Sequence, residues 1–261
     1  MDRVLLTDTP SGAPRRFRIK LAGLVFSVSV LYDNVYRLCS DYLVDEPADV
    51  FIEVTQEAID AERTQGTWTD GYLESLAVYR AIAEVLPLHE RLLIHGAALA
   101  VDGVAYLFCA PSGVGKSTHV SLWKKYLGAF VTVVNGDKPL VRIPAVGTAF
   151  VCGTPWAGKE GWQENASFPF AGLCFLERGP QNCIRSLQPG EALERALAQT
   201  YLPARKEAAE RTLELLDTLL SRTPQFLLTC NTTEDAVRCS FEGMTGRNYP
   251  ARKGALSNTS L

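Results

Sequence analysis

The run Ala110-Pro111-Ser112-Gly113-Val114-Gly115-Lys116-Ser117-Thr118 limits what this chain can fold into more than any other stretch. It follows the phosphate-loop pattern Gly-x-x-x-x-Gly-Lys-Ser/Thr, with Ala110 in place of the first glycine. The pattern has meaning only between a strand and a helix. An apolar run at 104–109 precedes it, and helical spacing over 116–127 follows. Gly113 and Gly115 carry no Cβ to stop backbone N–H groups from turning in around an anion. The helix opening at Lys116 adds its partial positive charge. Lys116 neutralises terminal phosphates, and the Ser117 hydroxyl suits Mg²⁺, which takes oxygen ligands. Ser112, Gly113, Val114, Gly115, Lys116, Ser117 and Thr118 are therefore expected to bind a nucleoside triphosphate or a similar polyphosphate. The competing reading is a glycine-rich turn that binds nothing.

The rest of the 261 residues bound what can surround this loop. Hydrophobic residues make up 47 %, enough for a buried core and too many for a disordered chain. The net charge of −3 gives no electrostatic reason for a nucleic-acid or anionic-membrane partner. The apolar run in residues 1–7 is too short for a signal peptide. No uncharged apolar stretch reaches the length of a transmembrane helix, about 18 residues. The seven cysteines are scattered, with no Cys-x-x-Cys pair. They read as buried thiols in a reducing cytosol rather than a disulfide frame or a zinc site, and the chain is expected to be cytoplasmic.

Hydrophobic periodicity predicts strands at 17–21, 24–31 and 50–55 and a helix over 33–43. Thr55 is placed to cap a helix starting at Gln56. A stronger helix runs over 72–86, with Leu76, Tyr79, Ala83 and Leu86 at helical spacing and Pro87 ending it. From Arg91 the pattern changes. Residues 92–101 read as one apolar strand, Asp102-Gly103 as a hairpin turn and 104–109 as the return strand. An apolar strand at 131–134 ends in Asn135-Gly136-Asp137. Later strands are expected at 148–151, 172–176 and 226–230, and helices at 191–199, 206–220 and 233–244. The chain thus divides into an α/β unit at 1–88, a nucleotide-binding domain at 89–246 and a frayed tail at 247–261.

Phosphoryl transfer also needs a carboxylate to hold metal or orient the nucleophile. Asp137 ends an apolar strand about twenty residues after the loop, as such an acid does; the alternative is a plain turn aspartate. Lys138 beside it either meets a phosphate or is solvated. The segment Gly153-Thr154-Pro155-Trp156-Ala157-Gly158-Lys159 reads either as a loop that closes over a substrate, with Trp156 and Lys159 facing it, or as a rigid turn anchored by Trp156. His95 stands at a strand end before Gly96 and, alone, reads as a core histidine. His119 reads as a helix-surface residue beside the loop.

The order Ile94-His95-Gly96, Asp102-Gly103 hairpin, Leu107-Phe108-Cys109, glycine-rich loop, helix and acid-ended strand resembles HPr serine kinase/phosphorylase. More broadly it resembles the HPr-kinase-like proteins found beside peptide-tailoring gene clusters. The likeness covers about residues 90–180. It implies an α/β fold of the phosphoenolpyruvate-carboxykinase-like type: a twisted mixed sheet with a phosphate loop and flanking helices, preceded here by the small α/β unit. The short hairpin upstream agrees, because antiparallel neighbours need only a tight turn. The resemblance further implies that His95 lies near the transferring phosphate, that Lys116 and Ser117 bind phosphate and metal, and that Asp137 supplies the acid. It implies ATP, another nucleoside triphosphate or pyrophosphate as donor, with Mg²⁺. The family often has two adjacent acids at the strand end, and the first of these positions is Gly136 here.

Two functions follow. One is a Mg²⁺-dependent kinase, with His95, Lys116 and Asp137 catalytic, transferring phosphate to a hydroxyl of a peptide, protein or small molecule. Ser117 and Asp137 would hold the metal, and Lys138, Trp156 and Lys159 would line the acceptor site. The other is a nucleotide-binding regulatory module without transfer activity, which Gly136 favours. An ordinary Walker-loop ATPase or GTPase fits less well, as no Asn-Lys-x-Asp run is present and the upstream hairpin suits it poorly.

Overall fold

The computed structural model describes residues 14–64 and 66–250. The expectation that 1–7 is too short for a signal peptide, and the part of the expected 247–261 tail from 251 onward, lie outside the described residues. Strands β1 (Arg15–Leu21) and β2 (Leu24–Val30) pair antiparallel. Ala22 and Gly23 join them with φ of 49° and 79°. Two successive positive φ values give a turn whose twist matches the strands. Leu24, Phe26, Val28 and Val30 alternate along β2 and all enter one core. Helix α1 (Asp33–Leu38), strand β3 (Val50–Glu53) and helices α2 (Gln56–Ala61) and α3 (Asp70–Val85) follow. β3 pairs parallel with β2, giving a three-stranded sheet in the order β1-β2-β3.

The helix ends follow their caps. Thr55 Oγ1 accepts from Ala58 N at 3.3 Å and starts α2. Thr69 Oγ1 accepts from Tyr72 N at 3.4 Å and starts α3 two residues before its apolar repeat. The helix expected over 33–43 is shorter. Tyr42 N bonds Cys39 O at 2.9 Å, tightening Ser40–Tyr42 into a 3-10 turn that buries the Tyr42 ring.

Thirteen further elements build the larger part. They are β4 (Arg91–Leu93), β5 (Ala97–Val101), β6 (Val104–Cys109), α4 (Lys116–Leu127), β7 (Val131–Asn135), β8 (Leu140–Arg142) and β9 (Phe150–Cys152), then β10 (Ser167–Arg178), β11 (Cys183–Ser186), α5 (Pro189–Leu197), α6 (Lys206–Arg222), β12 (Gln225–Cys230) and α7 (Glu234–Thr245). Among the described residues the chain is thus an α/β protein with seven α-helices and a mixed nine-stranded sheet. The sheet order is β4-β8-β9-β10-β6-β5-β7, with β12 beside β10 and β11 beside β12. The twelve-residue β10 joins its two parts: Ser167–Pro169 pair with β9, and the later residues run parallel to β6 and β12. The change falls between Pro169 and Phe170, the register with β6 shifts between Phe170 and Gly172, and a Cβ on Gly172 would lie 3.3 Å from the Tyr106 ring.

Helices cover both faces. Ala105, Leu107 and Cys109 of β6 share a core with Ala192 and Ala196 of α5 and Leu215, Leu216 and Leu219 of α6. Tyr106 and Phe108 face Val120 and Trp123 of α4 and Val237 and Phe241 of α7. Burial on both faces is why 104–109 reads as an unbroken apolar run. The core of the three-stranded sheet also takes in Leu93, Leu140, Cys152 and Trp156, so the two sheets meet in one hydrophobic cluster. No helix among the described residues is long and apolar enough to cross a membrane.

Three expectations are corrected. The single strand over 92–101 is two strands, β4 and β5, because His95 N and Gly96 N leave the ladder to donate to Gln199 O and Asp137 O, at 2.8 and 3.0 Å. Four cysteines are buried as expected, but Cys183 is exposed and Cys230 and Cys239 are half-buried. His119 is not on the helix surface. It is 2 % exposed, at the interface of α4 with β6 and α7. Beyond α7, Arg247 pairs with Asp102, and the Tyr249 ring meets Phe241 at 5.9 Å.

Candidate functional site

Strand directions bring the singled-out residues to one edge. β5 is antiparallel to both β6 and β7, so β6 and β7 run the same way. The C-terminal end of β6, where the glycine-rich loop begins, therefore lies on the same edge as the C-terminal end of β7, which leads to Asp137. β5 starts from that edge, which places His95 and Gly96 there. β10 and β12 run parallel to β6, so their ends, Arg178 and Cys230, lie there too. In open α/β sheets, the crevice outside the carboxyl ends of strands is where ligands bind.

The loop from Ala110 to Gly115 has the conformation its glycines allow. Gly113 and Gly115 take φ of 82° and 127°, values that side chains oppose. Gly115 precedes the first turn of α4 and accepts from His119 N at 2.9 Å. Lys116 opens the helix and is buried. Its Nζ folds back to donate to Ala110 O at 2.7 Å, spanning the loop. Burial pushes its amine below the usual lysine range, against the opposing pull of Asp137. Ser112, Gly113 and Thr118 are exposed, while Val114 and Ser117 are half-buried. From the end of β10, Arg178 Nε donates to Val114 O at 2.9 Å, and its Nη2 donates to Gly113 O.

Asp137 is the centre of a second cluster. His95 Nε2 lies 3.3 Å from its Oδ1 and Lys138 Nζ 2.9 Å from its Oδ2. Burial alone would raise its pKa, but the hydrogen bonds and charges of His95 and Lys138 outweigh that and hold the carboxyl well below the usual range. The backbone here is set by Asn135, whose buried Oδ1 accepts from Asp137 N at 2.9 Å and Lys138 N at 2.6 Å. Its Nδ2 donates to Thr154 O at 3.0 Å, and Thr154 Oγ1 donates to Lys138 O at 2.8 Å. These bonds tie the Asp137 turn to the 153–159 segment.

Two glycines explain the tightness. A Cβ on Gly96 would stand 2.7 Å from Leu107 Cδ1 and 2.9 Å from Phe108 O, so the residue after His95 has no room for a side chain against β6. A Cβ on Gly136 would stand 2.8 Å from Ala157 O. The position before Asp137 therefore has no room for an acid.

The 153–159 segment divides. Trp156 is buried against α3, with Nε1 donating to Ser75 O at 3.1 Å and its ring 5.2 Å from Tyr79. Lys138 Nζ sits 5.4 Å from the Tyr79 ring centroid. Lys159 is exposed beyond Gly158, which packs on Asp137. The indole is thus an anchor within the core, while Lys138 and Lys159 lie on either side of the Asp137 turn in the chain. Sequence reasoning passed over Asn135, Thr154 and Arg178. Only Asn135 left a signal, as the first residue of a turn-forming Asn-Gly-Asp.

Fold and site together define an α/β chain with a glycine-rich strand–loop–helix beside a paired carboxylate. No protein-family model and no curated protein matches this chain. Among solved structures, the Hpr(Ser) kinase/phosphatase from Coxiella burnetii is similar over 59 % of this chain and 93 % of that one. It is 14 % identical with a TM-score of 0.28, a likeness that carries no functional argument.

Proposed function

We propose that this chain binds a nucleoside triphosphate at 112–118 and, with Mg²⁺, transfers its terminal phosphoryl group to a hydroxyl of a peptide, protein or small molecule, as an HPr-kinase-like enzyme. The observation that carries the reading is the shared sheet edge. The loop with Lys116, and Asp137 with His95, come to it from three neighbouring strands. Phosphoryl transfer needs that combination: positioned phosphates, charge neutralisation and a carboxylate near the acceptor. Lys116 would leave Ala110 O for the phosphates, and Arg178 would hold the loop open behind them.

The donor set fits Mg²⁺. The Ser117 hydroxyl and Asp137 carboxylate are hard oxygen donors, and no group of three or more His, Cys, Asp or Glu side chains among the described residues could hold a metal by itself. Such a site suits an ion that arrives on its nucleotide. When bound, the ion would neutralise charge on the transferring phosphate. Asp137, kept ionised by its neighbours, would orient the acceptor hydroxyl and take its proton, and His95 would position that carboxylate. Lys138 and Lys159 flank the place where an acceptor would enter.

A second reading, a nucleotide-binding module without transfer, is favoured by one observation. Asp137 stands alone at its strand end, and the crowding at Gly136 excludes the partner acid. Incubation with Mg²⁺ and γ-labelled ATP and a panel of hydroxyl-bearing peptides, proteins and small molecules decides between them. Labelled acceptor that disappears in Asp137→Asn supports the kinase; nucleotide binding with no labelled product supports the module.

A further inference from the structure

The outer face of the three-stranded sheet carries a groove of about 630 Å³. The strand register explains how it forms. Arg18 on β1, Ser27 on β2 and Phe51 on β3 stand in one row across the sheet, and Arg16, Ser29 and Glu53 stand in the next. The middle strand thus carries short side chains between long ones on both flanks. Ser27, 7 % exposed, is the floor, with Arg16 and Arg18 as one wall and Phe51 as the other. The segment 43–48 closes one end. Val44 N donates to Arg18 O at 3.1 Å and Asp49 N to Val25 O at 2.8 Å, so the chain crosses from the β1 side to the start of β3. Leu43, Val44 and Ala48 make that end apolar.

Charge and exposure define what fits. Two guanidiniums line the groove and no acid does. Arg16 is exposed, and no acid among the described residues pairs with it. Arg18 pairs with Asp45, whose side chain is 96 % exposed, and a pair so solvated is weak enough to exchange for another carboxylate. Guanidinium forks match carboxylates, two bonds to two oxygens. On the opposite wall the Phe51 ring is 75 % exposed and offers apolar area to a partner. Glu53, exposed beside it, turns carboxylates away from that wall and so fixes which end of a partner lies where. Two arginines facing an acid do not suit the regular charge of a nucleic-acid backbone.

We infer that the groove docks an extended acidic segment of a partner polypeptide, with a large apolar side chain on Phe51 and carboxylates at Arg16 and Arg18. Neighbouring strands lie about 4.8 Å apart, so β1 and β3 are separated by roughly 10 Å. In an extended chain laid across them, side chains on one face recur every ~7 Å. An apolar residue over Phe51 is therefore followed, two residues on, by a side chain within reach of the long arginines. The site belongs to the N-terminal unit and uses neither 112–118 nor Asp137.

Fluorescence polarisation with the full chain and a labelled, end-capped peptide Leu-Ser-Glu-Ser-Glu-Ser tests it. Versions with glutamine or lysine in place of both glutamates, and a single-stranded oligothymidylate, are the comparisons. Wild type should bind the glutamate peptide roughly fivefold more tightly than the glutamine one, the range open to two exposed ion pairs. Arg16→Gln and Phe51→Ser, both at exposed positions, should each weaken it about threefold with an unchanged circular dichroism spectrum. Arg16→Glu should reverse the preference, favouring the lysine peptide over the glutamate one. No binding of the glutamate peptide, equal binding of the glutamate and glutamine peptides, binding indifferent to both Arg16 variants, or tighter binding of oligothymidylate than of peptide would each overturn the docking site.

Discussion

His95 Nε2 and Asp137 Oδ1 lie 3.3 Å apart although β5 and β7, the strands they border, run in opposite directions. The contact exists because the chain enters β5 at the edge where it leaves β7. Gly96 N also donates to Asp137 O at 3.0 Å, so backbone and side chain hold the pair together. A carboxylate so placed is ionised at neutral pH and stands beside the glycine-rich loop.

Asp137→Asn keeps the shape and removes the charge. We expect nucleotide binding without Mg²⁺ to stay within about threefold of wild type, because the lysine and loop amides are intact. The gain from Mg²⁺ and any phosphoryl transfer should be lost. Titrations with and without Mg²⁺ read this directly, and a Mg²⁺ effect undiminished in the variant would remove Asp137 from the metal site.

Gly136→Ala brings a Cβ to 2.8 Å from Ala157 O, a backbone atom that cannot swing away. Overpacking of this kind costs about 1–3 kcal/mol. Urea unfolding should show a lowered midpoint with an unchanged slope. A midpoint equal to wild type would show that the 153–159 segment yields, and that an acid could stand at 136 after all.

Arg178→Ala removes both bonds to the loop carbonyls of Gly113 and Val114. The loop would then be ordered by the ligand at binding. A net loss of about 1 kcal/mol is expected, or roughly fivefold in nucleotide affinity. An unaltered affinity would mean that the loop holds its shape unaided.

Burial pushes His119 down to about 4 from an ordinary value near 6.5. Above pH 6.5 the ring is neutral folded and unfolded, and contributes nothing to pH dependence. As pH falls from 6.5 towards 4 the unfolded chain takes up a proton that the folded chain does not, so stability declines across that window, by about 3 kcal/mol at its lower end. Asp137, depressed in the folded state, adds its loss only at lower pH, below the ordinary carboxylate range. Melting curves from pH 4 to 7 should slope in wild type and flatten in His119→Phe; equal slopes would place the acid sensitivity elsewhere.

How far the site was legible depends on how local its physics is. The loop at 110–118 follows from backbone rules over nine residues, and α4 starts at Lys116 as its pattern requires. The Asp102-Gly103 turn is set by two adjacent residues, with φ of 49° and 79°. The break at His95-Gly96 is not local. It depends on Gln199 O and Asp137 O, distant in sequence, drawing two amides from a run that is apolar throughout. His119 misled for the same reason, since it is polar by type and buried by Trp123 and Ser240, the second 121 residues away. Arg178 lies 64 residues from the carbonyl it holds, and no spacing rule connects them. Trp156 as anchor is one of two open readings, and its burial against Ser75 and Tyr79, both about 80 residues away, distinguishes them.

In the proposed function polyphosphate binds at Lys116 beside Asp137, and titration of MgATP into wild type and Lys116→Ala measures this. Wild type should bind, and the variant should lose at least tenfold in affinity, about 1.4 kcal/mol, while melting no lower than wild type because a desolvated amine has been removed. Equal affinity in the two proteins, or no binding by wild type, would contradict it.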